Sequence, residues 1–282
     1  MKPQVAIIAP GQMGAGVAAR LAEHGVEVLT SLVGRSEASR RRAEQAGMRE
    51  ADSERILRAD MLLSILPPGE AVALAASFAP RLAAHNLRPL YVDCNAVSPR
   101  TAREIGAIIS GAGAPFVDAG IIGGPPRAGT KGPTFYASGP AAEEFARLSE
   151  YGLTIKLLES PVGAASALKM SYAGITKGLT GIAVGMLLGA RRAGVGEALR
   201  EELRDSQPAL AARFAKSLPD MYPKAYRWVA EMEEIAAFLE EDEASAAIYH
   251  GLAALFDRVA KDFSGEKLET GELDALLAEQ RR

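Results

Sequence analysis

The chain has 282 residues, enough for two domains, and its 48% hydrophobic and 24% charged content is that of a soluble globular protein with a sizeable core. A net charge of −3 gives no sign of the basic footprint of a nucleic-acid binder. The single cysteine, Cys94, excludes an intramolecular disulfide framework, and the scattered His24, His85 and His250 lack the spacing of metal ligands.

The first apolar run, Val5–Ala9, leaves no room for a signal peptide before it, so a cytoplasmic location is expected. Pro10-Gly11-Gln12-Met13-Gly14 follows as a turn, then an Ala-rich helix to about His24 and a second strand from Val26 to Leu32. Strand, glycine turn, helix and strand in this order give a dinucleotide fingerprint its meaning, because glycines let the backbone approach a pyrophosphate resting on the helix start. The pattern here is A-x-G-x-x-G, with Ala9 where the first glycine usually stands. The second strand ends in Val33-Gly34-Arg35-Ser36 with no acidic residue to hold a ribose 2′-hydroxyl. Arg35 suits a 2′-phosphate, which favours NADP over NAD, while Arg41 and Arg42 read as an exposed helix cluster.

Further apolar runs recur with helices between them: Ala59–Leu66 ending at Pro67, Leu90–Asn95, Pro115–Ala119, Thr134–Ser138 and Thr154–Leu158. They lack clean alternation, as strands of a largely parallel, doubly covered sheet do. Ligands of such sheets gather beyond the strand C-termini. Leu66, Pro67 and Asn95 therefore join Gly11, Gln12, Met13, Gly14, Arg35 and Ser36 as cofactor candidates, and Gly123 and Gly124 as substrate candidates. Asp118 reads as closing a strand, and Cys94, with no partner histidine, as an inert thiol.

Ser160 to Gly194 predicts one helix of about eight or nine turns, started by Pro161 and Gly163 and stopped by Gly194 or Gly196. Gly174, Gly178, Gly181, Gly185 and Gly189 fall on one stripe, a groove in which another helix can lie close. Lys169, Tyr172, Thr176 and Thr180 project from the opposite side. The uncharged run between Lys177 and Arg191 is thirteen residues, too short to span a bilayer. A second protomer is the expected source of the helix in the groove, which predicts a homodimer. Beyond Val195 the chain reads as helices: Glu197–Asp205, Pro208–Ser217, Lys224–Glu241 and Glu243–Phe263, with breaks at Pro219 and Pro223 and a charged helix or tail over Leu268–Arg282. Arg227 and Glu231 form an i, i+4 pair, and Tyr226, Trp228, Met232 and Ile235 read as core.

These motifs resemble those of the β-hydroxyacid dehydrogenase superfamily, which includes 3-hydroxyisobutyrate and 6-phosphogluconate dehydrogenases. Ala9–Gly14 is similar to the family's G-L-G-x-M-G turn, Asp118–Gly124 to its substrate loop D-A-P-V-S-G-G, and Gly163–Lys169 to its catalytic G-x-G-x-x-x-K segment. The helical half resembles a branch with a C-terminal domain of unknown function, in which A-S-A-L-K-M precedes T-K-G; some members resemble sugar-acid oxidoreductases. The resemblance implies a Rossmann-type doubly wound sheet over 1–160, then a long interdomain helix and a helical substrate or dimerisation domain over 161–282. It implies Lys169 as acid–base residue in hydride exchange between a nicotinamide and a hydroxy acid or sugar acid. Burial and the nearby helix start would draw its pKa towards neutrality. Ile122 and Ala173 replace the family's substrate-binding Ser and Asn, so Tyr172, Thr176, Lys177 or Arg127 are candidates for replacement contacts. An imine reductase of the same fold, or a non-catalytic nucleotide sensor, are the alternatives; retention of Lys169 speaks against both.

Overall fold

The computed structural model describes residues 2–127 and 129–277, so the last part of the expected tail, 278–282, lies outside the described residues. Eight strands form one sheet: β1 (Gln4–Ile8), β2 (Glu27–Thr30), β3 (Arg49–Glu50), β4 (Met61–Ser64), β5 (Leu90–Asp93), β6 (Phe116–Ile122), β7 (Thr134–Ser138) and β8 (Thr154–Leu157). Their order is β3-β2-β1-β4-β5-β6-β7-β8, and every pair is parallel except β6 with β7.

Alternate residues of the apolar strands enter two separate cores, which is why the sequence shows runs and no alternation. Val5, Ile7, Met61, Leu63 and Val92 pack beneath α1 (Gln12–Glu23), α2 (Glu37–Gln45) and α6 (Ala142–Ala146). Ala6, Ile8, Leu62 and Tyr91 pack beneath α3 (Ser53–Leu57), α4 (Ala71–Ala84) and α5 (Pro99–Gly111). The turn where the strand order reverses, after β1 and beside β4, is the place where such sheets bind ligands. Two differences from expectation bear on the site. β6 runs on through Gly120 to Ile122, and β3, two exposed polar residues, adds an edge that no apolar pattern announces.

Helix α7 (Ala164–Arg192) follows, between the left-handed Gly163 (φ 103) and Gly194 (φ 74). The chain divides into two compact units, Met1–Met170 and Ser171–Arg282, whose boundary falls inside α7. Among its described residues the second unit is helical throughout: α8 (Gly196–Ser206), α9 (Pro208–Met221), α10 (Ala225–Phe238), α11 (Glu243–Ser264) and α12 (Leu268–Leu277).

Several expectations for this half are corrected. Pro219 lies inside α9, near enough to its end that one lost hydrogen bond is tolerated, and the break comes at Tyr222–Lys224. Glu231 pairs with Lys177 in place of Arg227, and the Lys177 ammonium also sits 4.7 Å over the Trp228 ring. Burial pulls the Lys177 pKa down, and Glu231 opposes that shift. Tyr226 is 65% exposed and is not core. The glycine groove is filled from within the chain along its first half: a Cβ on Gly174 would lie 2.8 Å from the Tyr249 hydroxyl, and one on Gly181 only 2.4 Å from Leu252 Cδ2. Thus α11, not a second protomer, occupies the stripe at Gly174, Gly178 and Gly181; at Gly185 a Cβ would meet nothing within 4 Å. By length and composition alone α7 could cross a membrane, and half of its most apolar window is buried.

Candidate active site

The strand register aligns the ends that build the site. Ile8 stands beside Ser64, Ser64 beside Asp93, and Asp93 beside Asp118, so the segments after β1, β4 and β5 share one edge of the sheet with Gly120.

After β1, Ala9 adopts φ 74, the left-handed region that explains why glycine is usual there. Gly14 is required by packing, since a Cβ would stand 2.4 Å from the Ala9 carbonyl oxygen. Gly11 has no such internal reason. Its φ is −67 and a Cβ would meet nothing within 4 Å, so it leaves open space beside the start of α1. Gly11 also offers no side chain to cap α1, whose leading N–H groups at Gln12 and Met13 remain a site for an anion. These residues fit a dinucleotide's pyrophosphate. Arg42 is not simply an exposed helix residue: its Nε donates to the Pro10 carbonyl at 2.9 Å and braces this turn. No spacing rule signals a contact between residues 10 and 42.

Arg35 is half-buried beyond β2. The Ser36 hydroxyl is engaged as N-cap of α2, accepting from the Ser39 N–H at 3.3 Å. Asn95, 3% exposed, accepts from the Leu66 N–H at 2.5 Å and donates to Ser64 Oγ at 2.8 Å and to Asp93. Its amide therefore shapes the Leu66-Pro67 turn from within. Cys94 is buried, and burial, with Asp93 and Asp118 nearby, pushes its thiol well above the usual range.

Asp118 carries a role that sequence reading missed. Fully buried, its carboxylate accepts from Ser138 Oγ (3.0 Å), the Gly163 N–H (2.9 Å), the Ser166 N–H (3.1 Å) and Ser166 Oγ (2.6 Å). A β6 carboxylate thus caps the positive start of α7 and pins the helix to the sheet. Gly120 completes the fit: a Cβ there would lie 2.7 Å from the Ala165 carbonyl oxygen and 3.0 Å from Lys169 Cβ. The backbone of β6 is therefore the surface against which Lys169 packs. Three residues on, Gly123 has φ 123, and a Cβ on Gly124 would meet nothing within 4 Å. Farther along α7, Tyr172 is 49% exposed and the Thr176 hydroxyl donates to the Tyr172 carbonyl at 2.9 Å.

Comparison with known proteins agrees with this arrangement. Residues 4–151 match the NAD binding domain of 6-phosphogluconate dehydrogenase, and residues 190–259 a domain of unknown function, DUF1932. An uncharacterized 28.5 kDa protein of Methanothermus fervidus is 30% identical over 194 residues, 68% of this chain and 73% of that protein. The solved structure of the conserved protein MTH1747, of unknown function and similar to 3-hydroxyacid dehydrogenases, is 32% identical (TM-score 0.69; 93% of this chain and 98% of that one). At 20% identity, Mycobacterium tuberculosis 3-hydroxyisobutyrate dehydrogenase, solved with L-serine, shares the fold over 100% of both chains with a TM-score of 0.72. With a dinucleotide-binding domain matched over more than half its length and a helical domain behind it, this chain belongs to the β-hydroxyacid dehydrogenase superfamily, in the branch that carries the DUF1932 domain.

Proposed function

We propose that this protein is an NADP-preferring oxidoreductase that exchanges a hydride with the CH–OH carbon of a hydroxy acid or sugar acid, using Lys169 as the acid–base residue. The observation that carries the reading is the station of Lys169, held against Gly120 of β6 by a helix whose start is locked to Asp118. The bound nicotinamide supplies the hydride acceptor or donor. The N–H groups of Gly11–Gly14 hold the pyrophosphate, and Arg35 holds the 2′-phosphate. The Gly123-Gly124 backbone receives the substrate carboxylate. Lys169 takes the hydroxyl proton in oxidation and returns it in reduction. Incubating the protein with a panel of hydroxy acids, sugar acids and imines plus NADP or NAD, and following reduced-cofactor absorbance, tests this. Turnover of imines alone makes it an imine reductase, and cofactor binding without turnover makes it a sensor.

Cofactor preference follows Arg35. The Arg35→Ala variant loses about ten- to a hundredfold in NADP affinity, the worth of a charge-assisted contact, and keeps its NAD affinity. Equal losses for both in a fluorescence titration would remove Arg35 from the 2′-phosphate.

The homodimer is also part of this proposal, on a surface other than the filled groove. Ile175, Ile182 and Met186 of α7 are 65%, 53% and 64% exposed, an apolar row of the sort that partners cover. Gly181→Leu then destabilises the chain itself by about 1–3 kcal/mol, because Leu252 and Phe256 already fill the space. Ile182→Glu leaves the fold intact and halves the mass seen by light scattering. A wild-type mass of one chain at micromolar concentration rejects the dimer.

A further inference from the structure

The loop that begins with the glycine pair is fastened to the cofactor helix. Gly16 of α1 leaves no room for a side chain beneath it: a Cβ would lie 3.0 Å from Pro126 Cδ and 3.3 Å from Pro125 Cβ. One turn later on the same face, Arg20 donates from Nη2 to the carbonyls of Arg127 (3.2 Å) and Thr130 (2.9 Å). Its Nη1 donates to the carbonyl of Gly152 at 3.4 Å, and its Nε lies 3.5 Å from the Glu23 carboxylate. Only 14% of the Arg20 side chain is exposed. Gly152 makes way for it, since a Cβ there would stand 2.9 Å from Arg20 Cδ. Within the loop, the Thr130 hydroxyl donates to the Arg127 carbonyl at 2.9 Å and lies 3.2 Å from the Arg127 N–H. Arg127 and Thr130 are thus bonded to each other, and one guanidinium holds the carbonyls of both.

A planar fork with five N–H donors can collect carbonyls from two separate loops; an ammonium on a flexible stem gathers fewer of them and in a looser geometry. We propose that Arg20 is a positioning residue for substrate: acting through the Arg127 and Thr130 carbonyls, it holds Gly123 and Gly124 in binding geometry before substrate arrives. This rests on the reading of that glycine pair as the carboxylate contact. Arg20 sits two turns along α1 from the phosphate turn and touches neither Gly11 nor Gly14 among its hydrogen bonds, so its effect falls on the substrate side.

The test compares wild type with Arg20→Met and Arg20→Lys by hydrogen exchange across 123–132, by NADPH titration, by melting temperature, and by steady-state kinetics with 3-hydroxyisobutyrate or, if that is inactive, the best acid of the panel. Arg20→Met is expected to speed loop exchange at least tenfold and raise KM about tenfold. Its NADPH Kd should stay within twofold, kcat within threefold, and melting within a few degrees; Arg20→Lys should recover part of the KM loss. Loop exchange equal to wild type overturns the proposal. So does a KM rise matched by an equal loss of NADPH affinity, which would make Arg20 a support of the cofactor turn. A wild-type protein that turns over no acid defeats the dehydrogenase reading, and loop exchange in Arg20→Met then still decides whether Arg20 holds the loop.

Discussion

The Lys169→Ala variant keeps its affinity for NADP and loses turnover by about two to four orders of magnitude, the range associated with removing a general acid–base group. The separation is expected because the contact of this residue with β6 is made by its Cβ. It is Lys169 Cβ that approaches Gly120, and alanine retains that atom. Alanine is also the most favourable residue for a helix interior, so α7 does not suffer from the change. What disappears is the side chain beyond Cβ, with the amine at its end. NADPH titration and single-turnover absorbance on the same preparation make the comparison. Near-normal turnover would remove Lys169 from the chemistry and turn the assignment towards imine reduction.

Asp118→Ala is expected to produce the largest loss of stability, about 3 kcal/mol. The substitution strands the Gly163 and Ser166 N–H groups and the Ser138 and Ser166 hydroxyls in the interior, and an unsatisfied buried group costs about 1–3 kcal/mol. Loss of a helix cap adds about 1 kcal/mol, partly offset as the loop relaxes and admits water. Asp118→Asn should do less harm, because its amide oxygen can still accept from one or two of these donors. Urea unfolding reads the difference. A loss under about 1 kcal/mol would show that the start of α7 is held by something other than this carboxylate. Because the capped helix carries Lys169, turnover should fall along with stability.

What could be read from the sequence was local. The phosphate turn is a run of consecutive residues whose glycines have a characteristic spacing, and both ends of α7 fall at the glycines that interrupt its apolar pattern. What could not be read was tertiary. Asp118 looks like the polar end of a strand, because the N–H groups that explain it lie forty-five to forty-eight residues away. Gly120 looks like the start of a turn, yet it lies in β6, where it keeps the strand bare so that a helix can touch it. The cofactor candidates Asn95 and Ser36 have side chains with structural duties that the pattern does not show: Asn95 accepts from the Leu66 N–H twenty-nine residues away, and Ser36 caps its own helix. The stripe of glycines correctly announced a close helix. Periodicity within one helix carries no information about which helix that is, and α11 of the same chain fills its first half.

The burial of Cys94 has a practical consequence. A chain whose sole thiol is enclosed and held in its protonated form presents no background to maleimides or mild oxidants. Cysteines introduced at exposed positions, such as Glu104 in the first unit and Glu243 in the second, would then take up fluorophores selectively. Energy transfer between the two dyes, recorded as NADP and candidate acids are added, would report in real time whether the two units move when the protein works.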